Sequence, residues 1–210
     1  MRKVVILTSG FITLSVLFFS CSEKMNPPTM PETTLFTPSF VLMWGGEGDG
    51  DGEFNRPQGI AIDNNDNVYI VDAHNHRIQK FNSDGVFLSK WGSGGSGNGQ
   101  FWWPSGIAAD SGNNVYVADM MNYRIQKFDL NGVFLNKWGN IGFENGQFDR
   151  PMAIAVDSIG NVYVSDLNNR IQKFDSDGMF LGKWGSWGSG DGEFNAVSYT
   201  HLTLPTKRIV

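Results

Sequence analysis

Acidic and basic side chains recur at matched spacing along this chain. Asp72, Asp119 and Asp166 stand five, five and four residues before Arg77, Arg124 and Arg170. A carboxylate beside a guanidinium suits catalysis, but a unique reaction centre would not be copied three times. A hydrogen bond or ion pair that locks a hairpin accounts for the copies better. The run GEGDGDGE over 46–53 alternates carboxylates in a way that suggests calcium. That ion wants about six to eight oxygens around a sharp turn. The matching stretches GSGGSGNGQ (92–100) and GNIGFENGQ (139–147) lack the acidity, so a solvated glycine connector is expected. His74 and His76, with Asp72 close by, offer two nitrogens and an oxygen to zinc, yet no other unit supplies a histidine there. No Gly-x-Ser-x-Gly elbow, phosphate loop or Cys-x-x-Cys occurs. The expectation is therefore no catalytic residue, no metal site and no cofactor.

The elements that carry these residues are repeats. Phe54, Phe101, Phe148 and Phe194 open successive units of 47, 47 and 46 residues. Pro57, Pro104 and Pro151 align within them, RIQKF recurs at 77, 124 and 170, and KWG at 90, 137 and 183. Each unit holds four strand signals, in the first GIAID (59–63), NVYIVD (67–72), RIQKF (77–81) and VFLSKW (86–91), separated by Asn, Asp and Gly turns. No helical period appears after the leader. An all-β fold follows, a β-propeller of four-stranded antiparallel blades. Small residues on the first strand (Gly59, Ala61, Gly106, Ala108, Ala153, Ala155) suit blades converging on an axis. Phe87, Trp91, Phe134, Trp138, Phe180 and Trp184 on the fourth suit the widening gaps outside.

The pattern P-x-G-I-A-x-D, N-V-Y-V-x-D, N-x-R-I-Q-K-F, with Asn75-His76 in the first unit, resembles the NHL-repeat family of β-propellers over residues 39–195. About three blades are present, plus a leading strand at Phe40–Trp44. Trp44 sits 47 residues before Trp91, so that strand reads as a fourth strand without its first three. The resemblance implies ring closure through such a strand, usually after six blades. That would take roughly 280 residues of repeat, so a partial propeller is expected, with 196–210 read as a non-repeat, artefactual tail.

Antiparallel order puts the two–three and four–one loops of every blade on one face. The residues that break the repeat fall there: His74, His76, Trp102, Trp103, Met120, Met121, Tyr123, Phe143 and Trp187. The opposite face carries mostly Asn, Asp, Ser and Gly. Aromatics on loops of a rigid scaffold suit a binding surface, although several would also serve as wedge filling. The ligand set expected is His74, His76, Trp102, Trp103, Met121, Tyr123, Phe143 and Trp187.

At the amino end Arg2 and Lys3 precede an apolar run, Val4–Phe19, with Ser20 before Cys21, the one cysteine of the chain. This reads as a signal peptide over 1–20 and resembles a bacterial lipoprotein signal, with lipidation at Cys21. Residues 21–38 form a proline-rich tether. Net charge is −5 over 210 residues, which argues against a nucleic-acid groove. Glycine (26 residues) and aromatics (13%) argue against a disordered chain or a coiled coil.

The family resemblance implies recognition roles, as in tripartite-motif ubiquitin ligases and bacterial receptor kinases. It also brings peptide-amidating lyases, which rely on histidines around a central metal that this chain does not supply. The expectation is a lipid-anchored or secreted, non-catalytic cell-envelope module, with a propeller enzyme resembling peptide-amidating lyase or another NHL-type lyase or hydrolase as the alternative. Its partners would be a protein, peptide or glycan, and the membrane through an N-terminal lipid, with no nucleic acid.

Overall fold

The structure, a computed structural model, describes residues 42–194 and the short strand Ser15–Val16. The rest of the leader, Cys21, the tether and the tail over 196–210 lie outside the described residues, as does the beginning of the leading strand at Phe40.

In chain order, β1 (Ser15–Val16) pairs antiparallel with β2 (Leu42–Met43), and β3 (Gly46–Glu47) pairs parallel with β4 (Glu53–Phe54). Three four-stranded antiparallel sheets follow. Blade one is β5 (Pro57–Ile62), β6 (Val68–Asp72), β7 (Arg77–Phe81) and β8 (Phe87–Trp91). Blade two is β9 (Pro104–Ala109), β10 (Asn114–Asp119), β11 (Arg124–Asp129) and β12 (Phe134–Trp138). Blade three is β13 (Ile154–Val156), β14 (Val162–Asp166), β15 (Arg170–Phe174) and β16 (Phe180–Trp184). Helix is confined, among the described residues, to one-turn segments at Ala73–Asn75 and Met120–Asn122. The four strands expected in each of the three units are present, and among the described residues the sheets are propeller blades that do not close a ring.

Strand pleating explains how consecutive blades hold together. Alternate residues face opposite sides of a sheet, so Tyr69, Val71 and Ile78 leave blade one toward blade two. They meet Phe101, Ile107, Val115, Val117 and Phe128 there. Tyr116, Ala118 and Ile125 meet Phe148, Ile154, Val162, Val164 and Phe174 in the same manner at the next boundary. Both sheet faces are thus covered, which is why Val68–Asp72 is buried at every residue. The taper is real at its narrow end: a methyl group built on Gly59 would lie 2.5 Å from the Ser105 carbonyl oxygen, and one on Gly106 would lie 2.5 Å from that of Met152.

At the wide end each fourth-strand tryptophan lies on the three–four turn of the following blade, Trp91 on Gly132 and Trp138 on Gly178. Trp44 takes the same seat on Gly85, and its ring lies 6.1 Å from Phe81, matching Trp91 with Phe128 and Trp138 with Phe174 at 5.9 Å. The leading strand is therefore a fourth strand in position as well as in sequence. Trp184 packs edge-on to Tyr163 and is 44% exposed.

Candidate functional site

The recurrent aspartates and arginines form the frame of the loop face. Asp72 and Arg77 are directly paired across β6 and β7, as are Asp119 with Arg124 and Asp166 with Arg170. Each arginine Nε donates to its aspartate Oδ2, at 2.8, 2.8 and 3.1 Å. The remaining guanidinium nitrogens reach into the four–one loop and donate to backbone carbonyls: Ser96, Gly97 and Gln100 for Arg124, and Phe143, Glu144 and Gln147 for Arg170. Asn122 and Gln126 donate to the Gly95 and Gln100 carbonyls and share the Asp119 carboxylate. Burial raises the pKa of Asp119 and Asp166 above the ordinary carboxylate value, against the lowering effect of their arginines and other donors. The connectors are exposed along most of their length, as expected, and their main chain is in addition gripped by an arginine. Asp49, Gly50 and Glu53 of the 46–53 run present main-chain oxygens to Arg77, so these oxygens are already engaged.

A second lock secures the opposite rim. Asp63, Asp110 and Asp157 accept the hydroxyl hydrogen of Tyr69, Tyr116 and Tyr163 at 2.8, 2.9 and 3.0 Å. Burial and the aspartate partner push the hydroxyls of Tyr69 and Tyr116 upward in pKa. Lys80 and Lys127 then lie over Tyr69 and Tyr116 and donate to carbonyls of the following blade, at Leu130 and Ser176.

On this frame four of the expected ligand residues, His74, His76, Trp102 and Trp103, form a cluster. His76 stacks on Trp102 with ring centroids 5.4 Å apart, and its Nδ1 accepts the Trp103 backbone N–H. His74 meets the Trp103 ring edge-on at 4.2 Å. Burial, reinforced by Arg56 and His76, depresses the His74 pKa, and its Nε2 is buried without a hydrogen-bond partner. Trp102 is 47% exposed and Met121 36%, while Trp103 and Tyr123 are half-buried. His74 and Trp103 therefore pack across a blade boundary while still bordering the surface. Phe143 and Trp187 stand apart on their own four–one loops, 75% and 73% exposed.

The opposite face is less uniformly polar than expected. Ile159, Val86, Val133 and Met179 are exposed on its turns, as single aliphatic side chains.

Half of one group of residues, Arg150, Met152 and Leu167, has no mark in the sequence reading. Between blades two and three lies an open depression of about 480 Å³, lined by Trp103, Met120, Met121, Arg150, Met152 and Leu167. Arg150 obeys the Arg-Pro pattern of the repeat, as Arg56 does, so its type alone does not mark it. The available signal was Trp103, which takes the same position before a proline.

A family model described as NHL repeat matches residues 54–81 and 101–128. The chain carries NHL repeats. The matched segments run from the opening phenylalanine to the end of the RIQKF strand in blades one and two. Among curated relatives, Protein lin-41 of Caenorhabditis elegans is 48% identical over 50 residues, 24% of this chain and 4% of that protein. E3 ubiquitin-protein ligase TRIM71 of Rattus norvegicus is 47% identical over 50 residues, 24% of this chain and 6% of that protein. The likeness thus spans a few per cent of those relatives' length.

Among solved structures, a protein of unknown function from Bacteroides caccae superposes with a TM-score of 0.50 at 16% identity, over 72% of this chain and 52% of that one. The hydrazine synthase of Kuenenia stuttgartiensis does so with a TM-score of 0.50 at 15% identity, over 70% and 44%. At such identities the likeness is one of fold.

Proposed function

We propose that these NHL blades are a non-catalytic recognition module that binds a protein or peptide, or a glycan, through the loop face. One observation carries this reading. The loops are gripped by their backbone carbonyls, so the frame is the same in each blade while the side chains it displays differ. Trp102, Met121, Ile141, Phe143 and Trp187 are the large apolar side chains displayed, and rigid presentation of such groups lowers the ordering cost of binding. The lipoprotein-type leader supports display of the module at a bacterial cell envelope through Cys21.

The experiment is selection of phage-displayed peptides and a glycan array against the purified chain, followed by titration of the best ligand. Trp102→Ala and Phe143→Ala should each weaken saturable binding with the melting temperature kept. Leu135→Ala, on the outer strand of blade two, should leave it unchanged. Binding indifferent to both loop substitutions would overturn the reading. For the anchor, Cys21→Ala should abolish lipidation and cleavage before that residue in a bacterial host, and a variant processed and membrane-bound as firmly as the parent would refute it.

A further inference from the structure

The two blade boundaries on the loop face can be compared position by position, because their backbones are held alike. The N–H groups of His74, Met121 and Leu167 donate to the carbonyls of Asn55, Trp102 and Asp149, which makes these three residues structural equivalents. The residues before the prolines, Arg56, Trp103 and Arg150, are equivalents too, and all three adopt left-handed backbone with φ of 49°, 54° and 47°. A bulky residue rarely holds that conformation, so the frame imposes the direction in which each side chain leaves the backbone.

At the first boundary those two positions hold His74 and Trp103, and the indole packs against the imidazole at 4.2 Å. The protein fills that place with its own aromatic ring. At the second boundary the same positions hold Met121 and Arg150. There the depression of about 480 Å³ is open, with Trp103, Met120, Met152 and Leu167 as its other walls. Its lining is apolar apart from Arg150, whose nearest carboxylate, Asp149, is 3.8 Å away, at the outer limit of an ion pair between two half-exposed side chains. Such a pair is worth little in water, so the guanidinium stays available. Three methionines give the walls a shape that can adapt to an entering group.

We propose that this depression is a peptide site for an aromatic side chain next to a carboxylate. The inference rests on the recognition reading above and names the partner's chemistry. The aromatic ring takes the place that the Trp103 indole takes one blade earlier, against Met121. The carboxylate pairs with Arg150, the one charged group of the lining. A single-stranded nucleic acid would also offer rings and anions, but it calls for several cations along a groove, and this chain has a net charge of −5.

The test uses the full chain and fluorescence polarisation with a labelled peptide of about ten residues carrying Trp-Glu, plus its Trp-Gln and Ala-Glu counterparts and an oligouridine of similar length. The Trp-Glu peptide should bind saturably, and either replacement should weaken it about tenfold, as loss of a charge-assisted contact or of an anchoring ring does. Arg150→Gln should remove the preference for Glu over Gln. Arg150→Trp, which copies the first boundary, should fill the depression and abolish binding with the melting temperature kept. Equal binding of the Trp-Glu and Trp-Gln peptides, undiminished binding by Arg150→Trp, or preference for oligouridine would each overturn the proposal. If peptide binding survives Arg150→Trp but falls with Trp102→Ala, the loop face still binds and only this site is wrong. If neither substitution matters, both readings fail.

Discussion

Replacing Asp119 by alanine tests whether the loop face depends on its buried ion pairs. The carboxylate is fully buried, and Arg124 keeps 8% of its side-chain exposure. Four residues donate to it: Trp102 through its backbone N–H, Asn122 and Gln126 through their amides, and Arg124 through Nε. Removing it strands a guanidinium that cannot lose its proton. Breaking a buried pair from one side costs about 3–5 kcal/mol, a large part of the roughly 5–15 kcal/mol that holds a domain. Asp119→Ala should therefore lower the urea midpoint steeply, measured by tryptophan fluorescence and circular dichroism on the same samples. The loss should spread to the loop, because Arg124 also holds the Ser96, Gly97 and Gln100 carbonyls. Adding Arg124→Met to Asp119→Ala should cost less than the two single losses together, since the stranded charge goes with it. A loss under about 1 kcal/mol for Asp119→Ala would refute the view that this pair braces the face.

Two further outcomes follow from the packing. Gly106→Ala should destabilise by about 1–3 kcal/mol, as overpacking does, because the new methyl would sit 2.5 Å from the Met152 carbonyl oxygen. Gly182→Ala, with open space around it, should be neutral or slightly stabilising, and equal effects in denaturation would undo the axial-contact argument. The depressed His74 pKa means that the unfolded chain takes up this proton first as pH falls below about 6.5. Stability from this group should be full above that value and decline as pH drops toward the lower folded value. His74→Phe should flatten that part of the urea-midpoint profile, and an unchanged profile would contradict the assignment.

How much of this was legible beforehand depends on what each residue does. Periodic features read directly: Tyr69, Tyr116 and Tyr163 or Trp44, Trp91 and Trp138 recur because every boundary poses the same packing problem. The role of Asp and Arg as a hairpin lock was also readable, from three copies of one pair. What the arginine does with its other nitrogens was not, because it binds backbone carbonyls, and these carry no trace in residue type. The 46–53 run is the solvated connector its composition implies, but its hold on Arg77 left no mark in the sequence. The depression beside Arg150 was hidden for a different reason. Arg150 matches Arg56, and only the fold shows that it borders an open depression with Trp103, Met121 and Leu167.

The grip of Arg77, Arg124 and Arg170 on main-chain oxygens has an evolutionary consequence. Because the contact ignores side chains, Asp49, Ser96 and Phe143 serve equally well as the first carbonyl acceptor of their loops. Mutations at these positions change what the face displays and leave its support intact. The blade thus separates inherited framework from variable display within one short unit. Duplicating such a unit would copy the framework ready-made and leave the new loops free to diverge toward a different ligand.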